Sequence, residues 1–256
     1  MREAKHGRRA GCVLYSPRFM ADFVNESSVV QSLVSQDDPA DALATYYGLY
    51  APAGTRTLHT LLDAQGQPEG FLVRARTGLD LFRPVVSFRA RSDASTARLI
   101  AEGVPPGRPV ILAIPETLGS WAYKHLQTRD AELHRIYRLE RADHQPLINV
   151  LATTGRDPNG APRSEIRSGD HLGAVAGVNW QTPRYAEIYV YTDPAVRGRG
   201  WGKSVVSIVS GLVLESGRIP LYVVAESNDY SIRLAEAVGF RDTGAREILA
   251  EAVRID

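Results

Sequence analysis

The sequence predicts a mixed α/β fold in which two successions of strands and helices follow each other along the chain. Within residues 55–126 the hydrophobic pattern indicates strands, a helix, a strand and a helix, in that order. Residues 165–240 repeat this order, with alternating apolar residues in the strands and longer apolar runs in the helices. Such alternation is typical of a sheet covered by helices.

The composition of the chain excludes several classes of protein. With 256 residues, 44% of them hydrophobic, the chain can form one large or two modest cores. Thirty basic and 29 acidic residues give a net charge of +1, which does not favour nucleic acid or an anionic membrane as a partner. One cysteine, Cys12, excludes an internal disulfide and fits a reducing compartment. The basic start, Met1–Arg9, shows no signal-peptide pattern and is predicted to be a frayed tail, so we expect a cytoplasmic protein.

The first half is predicted to begin with two helices, Ser27–Ser35 and Ala40–Tyr50, the second opened by Asp38-Pro39. Residues 153–163, rich in glycine, proline and polar side chains, are predicted to form a mobile loop. The further elements expected in the first half are strands 57–62, 70–76 and 84–90, a helix at 94–102, a strand at 109–114 and a helix at 118–126.

Residues 197–204, Arg-Gly-Arg-Gly-Trp-Gly-Lys-Ser, carry the strongest indication of function. They lie between a strand-like run, 186–192, and an apolar helical run, 205–214. A glycine-rich turn between a strand and a helix directs main-chain N–H groups and the helix dipole at an anion. Arg197, Arg199 and Lys203 add positive charges, so the turn predicts a ligand that carries phosphates.

Spacing excludes two common phosphate-binding loops. In a Walker loop ending at Gly202-Lys203-Ser204 the opening glycine would fall at Arg197. In a dinucleotide-binding loop starting at Gly198 the third glycine would fall at Lys203. The observed spacing, R-x-x-G-x-G, resembles the pyrophosphate-binding signature of the GNAT superfamily of acyl-CoA-dependent N-acyltransferases. A surface turn rich in arginine and glycine is the alternative interpretation.

A second block strengthens the resemblance. A strand, 220–225, is followed by Asn228, a short helix and Gly239-Phe240, as in the second GNAT block. The two blocks cover residues 186–245. The resemblance implies that residues 130–256 form a GNAT-like domain, a mixed, mostly antiparallel twisted sheet flanked by helices, with acetyl-CoA as co-substrate.

The repeated order of elements suggests that residues 1–129 form a smaller α/β half derived from a degenerate copy of the same fold. Its equivalent turn, Arg91-Ser92-Asp93, contains no glycine, so this half is not expected to bind a diphosphate. A helical cap with a β-subdomain is the other interpretation of this half.

The resemblance also implies a set of cofactor contacts. The main chain of Val190, Tyr191 and Thr192 would run beside the pantetheine arm, and the amide of Asn228 would bond to it or cap the following helix. Trp201 is expected to pack beneath the loop. The diphosphate would contact the turn formed by Arg197, Gly198, Arg199, Gly200, Trp201, Gly202 and Lys203.

Two residues are candidates for catalysis. An amine acceptor is protonated at neutral pH and must lose a proton, for which Glu187 is the predicted base. Glu187 shares a strand face with Tyr189 and Tyr191, although a glutamate at a strand end is an equally simple interpretation. The tyrosine that protonates the leaving thiolate in many GNAT proteins is replaced by Ala235, so Tyr230 is the candidate donor, with helix packing as the alternative.

These residues predict an N-acetyltransferase that acts on a primary amine of a small molecule or peptide. A non-catalytic acyl-CoA sensor or partner-binding module, and a transferase of longer acyl groups, are the alternatives. The six histidines show no metal-ligand spacing, so no metal is expected. The oligomeric state is left open, a homodimer included.

Overall fold

The computed structural model describes residues 25–77, 80 and 82–255, so Cys12 and the predicted tail Met1–Arg9 lie outside the described residues. Its strands all belong to one sheet of eleven strands. The strands are β1 Arg56–Leu62, β2 Pro68–Ala75, β3 Val85–Ala90, β4 Val110–Pro115, β5 Leu126–Arg138, β6 Ala152–Arg156, β7 Pro162–Ser168, β8 His171–Gln181, β9 Tyr185–Thr192, β10 Ile219–Ala225 and β11 Arg241–Arg254. The α-helices are α1 Glu26–Leu33, α2 Ala42–Thr45, α3 Asp93–Gly103, α4 Gly119–Ala122, α5 Trp201–Glu215 and α6 Asp229–Val238.

The strand order is β1-β2-β3-β4-β11-β5-β10-β9-β8-β7-β6. Two neighbouring pairs are parallel, β3 with β4 and β9 with β10, and the other pairs are antiparallel. A helix connects each parallel pair, α3 in the first half and α5 in the second, because parallel neighbours need a crossover. The predicted fold class, a mostly antiparallel mixed sheet flanked by helices, is confirmed.

The two halves of the sheet meet at its centre through β11 and β5. β11, the last strand of the chain, lies between β4 and β5, and β5 in turn lies between β11 and β10. From β11 outward to β1, the neighbouring strands pair in the order antiparallel, parallel, antiparallel, antiparallel. From β5 outward to β7, the pairings follow the same order. The boundary predicted after residue 129 falls within β5, and the division into two domains stays a prediction.

Two segments differ from the expectation. The loop predicted at 153–163 is wrong, because most of it belongs to the hairpin of β6 and β7. Asp157 closes the hairpin by accepting hydrogen bonds from the N–H groups of Asn159 and Ala161, which the polar composition of the turn disguised. The helix expected at 118–126 is limited to α4 and a short turn before it, since β5 already begins at Leu126.

Each half has its own hydrophobic core, and β11 joins the two. Ile248, Ala250 and Ala252 of β11 pack in the core of the first half, together with Leu112 and Ile114 of β4. The core of the second half surrounds the buried face of α5. Because a strand from the C-terminus completes the N-terminal core, the halves depend on each other for stability.

We therefore expect Ile248→Ala to lower the free energy of unfolding of the whole chain by about 2–5 kcal/mol, as for a large core side chain replaced by alanine. Ile248 is 6% exposed, whereas Ile255, just beyond β11, is 51% exposed and provides the matched control. Urea titration should show one cooperative transition, shifted in Ile248→Ala and nearly unchanged in Ile255→Ala. Two separate transitions, with only one of them shifted, would contradict the interdependence of the halves.

Candidate functional site

The candidate cofactor site begins where two parallel strands diverge. β9 pairs with β10 only through Tyr185–Glu187, opposite Ile219–Leu221. Beyond this point β9 stays paired with β8, and β10 stays paired with β5. The edge of β9 that carries Val190, Tyr191 and Thr192 is thus unpaired on the β10 side, among the strands described. An extended chain could add there as a further strand.

The turn between β9 and α5 follows from its local sequence. Asp193 accepts a hydrogen bond from the N–H of Ala195 and starts a short 3₁₀ turn at Pro194–Val196. Gly198 and Gly200 then adopt φ angles of +80° and +76°, a left-handed region that side chains with a Cβ disfavour. α5 begins at Trp201, directly after Gly200, and no side chain caps its first turn.

The main-chain amides of this turn are free to bind an anion. Between residues 25 and 255, as far as the structure describes them, no group accepts a hydrogen bond from the six N–H groups of Gly198–Lys203. The first N–H groups of a helix have no intrahelical partner and carry partial positive charge, so together they favour a negative ligand.

Three cations surround these amides without acidic partners. Arg197, Arg199 and Lys203 form no salt bridge with a described carboxylate. The guanidinium of Arg197 lies 5.7 Å from the ring centroid of Tyr230, and that of Arg199 lies 5.7 Å from the ring of Trp201. The aromatic contacts hold both arginines near the turn, so the residues present fit a diphosphate.

The equivalent turn of the first half is built differently. Ser92 caps α3 by accepting a hydrogen bond from the N–H of Ser95, and the hydroxyl of Ser95 accepts one from the N–H of Ser92. Asp93 adds a negative charge to the first turn, where it pairs with Lys124. The chain's own side chains therefore satisfy this helix terminus, and its charge disfavours an anion.

The remaining predicted cofactor and acid residues lie beside the turn. The side chain of Asn228 caps α6 by accepting a hydrogen bond from the N–H of Ser231 at 3.1 Å, which leaves its own amide N–H groups for a ligand. Tyr230 is 43% exposed, and its ring packs against Arg197 of the turn. Ala235 is fully buried in the core of the second half and provides no donor. The indole of Trp201 packs against Gly173 of β8, as expected for a support beneath the loop.

Glu187 faces a cavity of about 590 Å³ on the sheet. α2, the π-helical turn Tyr46–Tyr50 that continues it, and the faces of several strands form the walls. Burial raises the pKa of Glu187 to about 7, while the neighbouring Asn179 and Trp180 side chains oppose this shift. A carboxyl group with this pKa exchanges its proton near neutral pH, as a general base requires.

A second carboxyl group, Glu247 of β11, lines the same cavity and was not predicted. Burial and, to a smaller extent, the nearby Glu187 carboxylate raise the pKa of Glu247 to about 8, and Arg89 opposes the shift. The sequence conceals this residue, because Glu247 and Glu251 lie on the strand face opposite the apolar Ile248, Ala250 and Ala252 and so resemble charged residues of a solvent face. The aromatic wall formed by Tyr46, Tyr47 and Trp180 was also missed, since α2 packs against the sheet only through tertiary contacts.

Two features of the described residues bear on other classes of function. Over the described ranges, no group of three or more histidine, cysteine or acidic side chains could hold a metal ion. In the same ranges, the helices are all too short or too polar to cross a bilayer.

Comparison with known proteins relates this site to one family. Residues 166–249, which contain both the turn and Asn228, match the family model described as FR47-like protein. No curated protein matches the sequence.

Several solved structures share the fold. A GNAT-family protein from Novosphingobium aromaticivorans has 17% sequence identity and a TM-score of 0.56, covering 72% of this chain and 89% of that one. A GNAT-family acetyltransferase from Colwellia psychrerythraea has 10% identity and a TM-score of 0.55, covering 89% and 94%. A tandem GNAT protein from the clavulanic acid biosynthesis pathway has 13% identity and a TM-score of 0.53, covering 82% and 86%.

Residues 166–249 thus match the FR47-like family model, and the chain shares its fold with solved structures of the GNAT family.

Proposed function

We propose that the protein is an N-acetyltransferase that moves an acetyl group from acetyl-CoA to a primary amine of a small molecule or peptide. The observation that carries this proposal is the turn after β9, where the six free N–H groups of Gly198–Lys203 meet three cations without acidic partners. A thioester nucleotide with a diphosphate fits this turn, and its pantetheine arm fits the unpaired edge of β9.

Residues at the turn would act by positioning. Binding energy from the diphosphate, remote from the reacting atoms, would align the thioester with the acceptor. A main-chain N–H on the unpaired edge of β9, between Val190 and Thr192, would donate to the thioester oxygen as negative charge develops there. Asn228, at the start of α6, would hold the arm on the other side of the gap between β9 and β10.

Glu187 would accept the proton of the acceptor ammonium, directly or through a water molecule. When bound, acetyl-CoA supplies the thioester carbon that the freed amine attacks, and the carbon–sulfur bond breaks as the carbon–nitrogen bond forms. The hydroxyl of Tyr230 would donate a proton to the departing sulfur. The net products are an amide, a free thiol and one proton.

The proposal is tested by measuring thiol release from acetyl-CoA with a panel of amino acids, peptides, polyamines and aminoglycosides. Transfer to at least one amine is expected. Tight binding of acetyl-CoA without thiol release with any of them would instead favour the acyl-CoA sensor.

Arg199→Ala should weaken acetyl-CoA binding by about 1–3 kcal/mol, because a charge-assisted bond to the diphosphate is lost. Isothermal titration calorimetry measures this directly. Arg108→Ala removes the same charge from an exposed arginine of the first half and should leave the affinity unchanged. If the two variants bound equally well, Arg199 would not face the diphosphate.

The pH profile of kcat/KM should rise with pH up to about 7, where the Glu187 carboxyl loses its proton, and this limb should disappear in Glu187→Gln. The rate rises with pH because a general base acts only when it is deprotonated. The raised pKa of Glu187 moves this deprotonation to higher pH. Glu102→Gln, on the exposed face of α3, is the control and should keep the limb. A Glu187→Gln enzyme with an unaltered profile would remove Glu187 as the base.

A further inference from the structure

The cavity that Glu187 lines contains a second acidic residue, Glu247, whereas one proton transfer needs a single base. Glu247 is 9% exposed and lines the cavity, yet its carboxylate has no hydrogen bond or salt bridge to any residue that the structure describes. A buried carboxyl group without a partner keeps its proton, because its charged form is costly in that environment. Glu247 lies at the cavity wall, where a cationic ligand would stabilise the charged form by pairing with it.

The basic groups near Glu247 are bound elsewhere. Arg89 pairs with Asp41 at 2.6 Å and donates to the carbonyls of Phe88 and Ala40, so each of its three nitrogens already has a partner other than Glu247. His134 lies 3.4 Å from the carboxylate of Glu132. Arg76, also on the cavity wall, donates to the carbonyl of Gly54. None of these three neutralises Glu247 through a direct contact.

The wall between the two carboxyl groups is apolar and aromatic. The ring of Tyr46 stacks on Trp180 with centroids 5.6 Å apart and lies 5.0 Å from the ring of Tyr47. Val223 and Leu249 line the same cavity. Aromatic faces attract cations and pack well against methylene groups, so this wall suits an aliphatic stem with positively charged ends.

The separation of the two strands determines the shape of the ligand. Glu187 lies on β9 and Glu247 on β11, with β10 and β5 between them. Three strand spacings separate the two backbones by roughly 14 Å across the sheet. The register separates them further along the strands, because Glu187 lies in the row of Leu221 and Arg138, whereas Glu247 lies opposite His134, four residues away on β5. A ligand that pairs with both carboxylates is thus extended rather than compact.

We propose that the acceptor is a linear aliphatic diamine or polyamine, with its reacting amine at Glu187 and its distal ammonium at Glu247. This proposal rests on the proposed acetyl transfer for the identity of the reacting end. The binding of a dication by the cavity does not depend on it.

The test compares kcat/KM for α,ω-diaminoalkanes of four to eight carbons, the matching 1-aminoalkanes and the matching amino alcohols. For the best chain length we expect a preference for the diamine of at least about tenfold over both analogues. In Glu247→Gln the ratio should fall close to one, while Glu102→Gln keeps the wild-type ratio. The wild-type ratio needs no variant and therefore remains informative if Glu247→Gln folds poorly.

A wild-type ratio near one, or a ratio that Glu247→Gln leaves intact, would overturn the proposal while acetyl transfer stands. If no amine supports thiol release, the dication site is tested by isothermal titration calorimetry, in which diamines are titrated into the protein without acetyl-CoA. Diamine binding that exceeds that of the aminoalkanes and depends on Glu247 would support the dication site without acetyl transfer. Equal or undetectable binding would reject it.

Discussion

The divergence of β9 and β10 is the constraint on which the candidate site depends. Pairing between these strands ends at Glu187 and Leu221, and from there each strand follows a different neighbour. The separation leaves one edge of β9 unpaired and brings the uncapped start of α5 to the end of the same strand. A single geometric feature thus supplies the slot for an extended arm and the amides for an anion.

The central position of β5 and β11 has a corresponding role for the cavity that contains Glu187 and Glu247. It stabilises the N-terminal core with Ile248, and on the opposite face it carries Glu247 into the cavity that Glu187 lines. The first half contributes α2 and its aromatic residues, and its helix α3 begins with a capped terminus, unlike α5. Its contribution to the candidate site is therefore a wall of the cavity that Glu187 lines.

The local sequence predicts those elements of the fold that depend on interactions between residues close together in the chain. The strand, glycine turn and helix around residues 185–215 follow from hydrophobic periodicity and from the left-handed positions of Gly198 and Gly200. The cap formed by Asn228 could be anticipated for the same reason. Glu187 could be named as a candidate because it lies at the start of the strand that leads into the turn.

Features that depend on long-range contacts could not be predicted. Glu247 reaches the cavity only because β11 inserts between β4 and β5, and nothing near residue 247 in the sequence indicates this pairing. The aromatic wall depends on the packing of Tyr46 against Trp180, which are 134 residues apart in the chain. The hairpin of β6 and β7 was missed because its polar residues form a turn that resembles an irregular loop.

The most direct test of the account follows the main-chain amide signals of Gly198–Lys203 by NMR during titration of the ¹⁵N-labelled protein with coenzyme A. If these amides hold the diphosphate, their signals should shift in proportion to the bound fraction, and their hydrogen exchange should slow. Coenzyme A that binds in the same sample while these six amides keep their shifts and exchange rates would contradict the central claim.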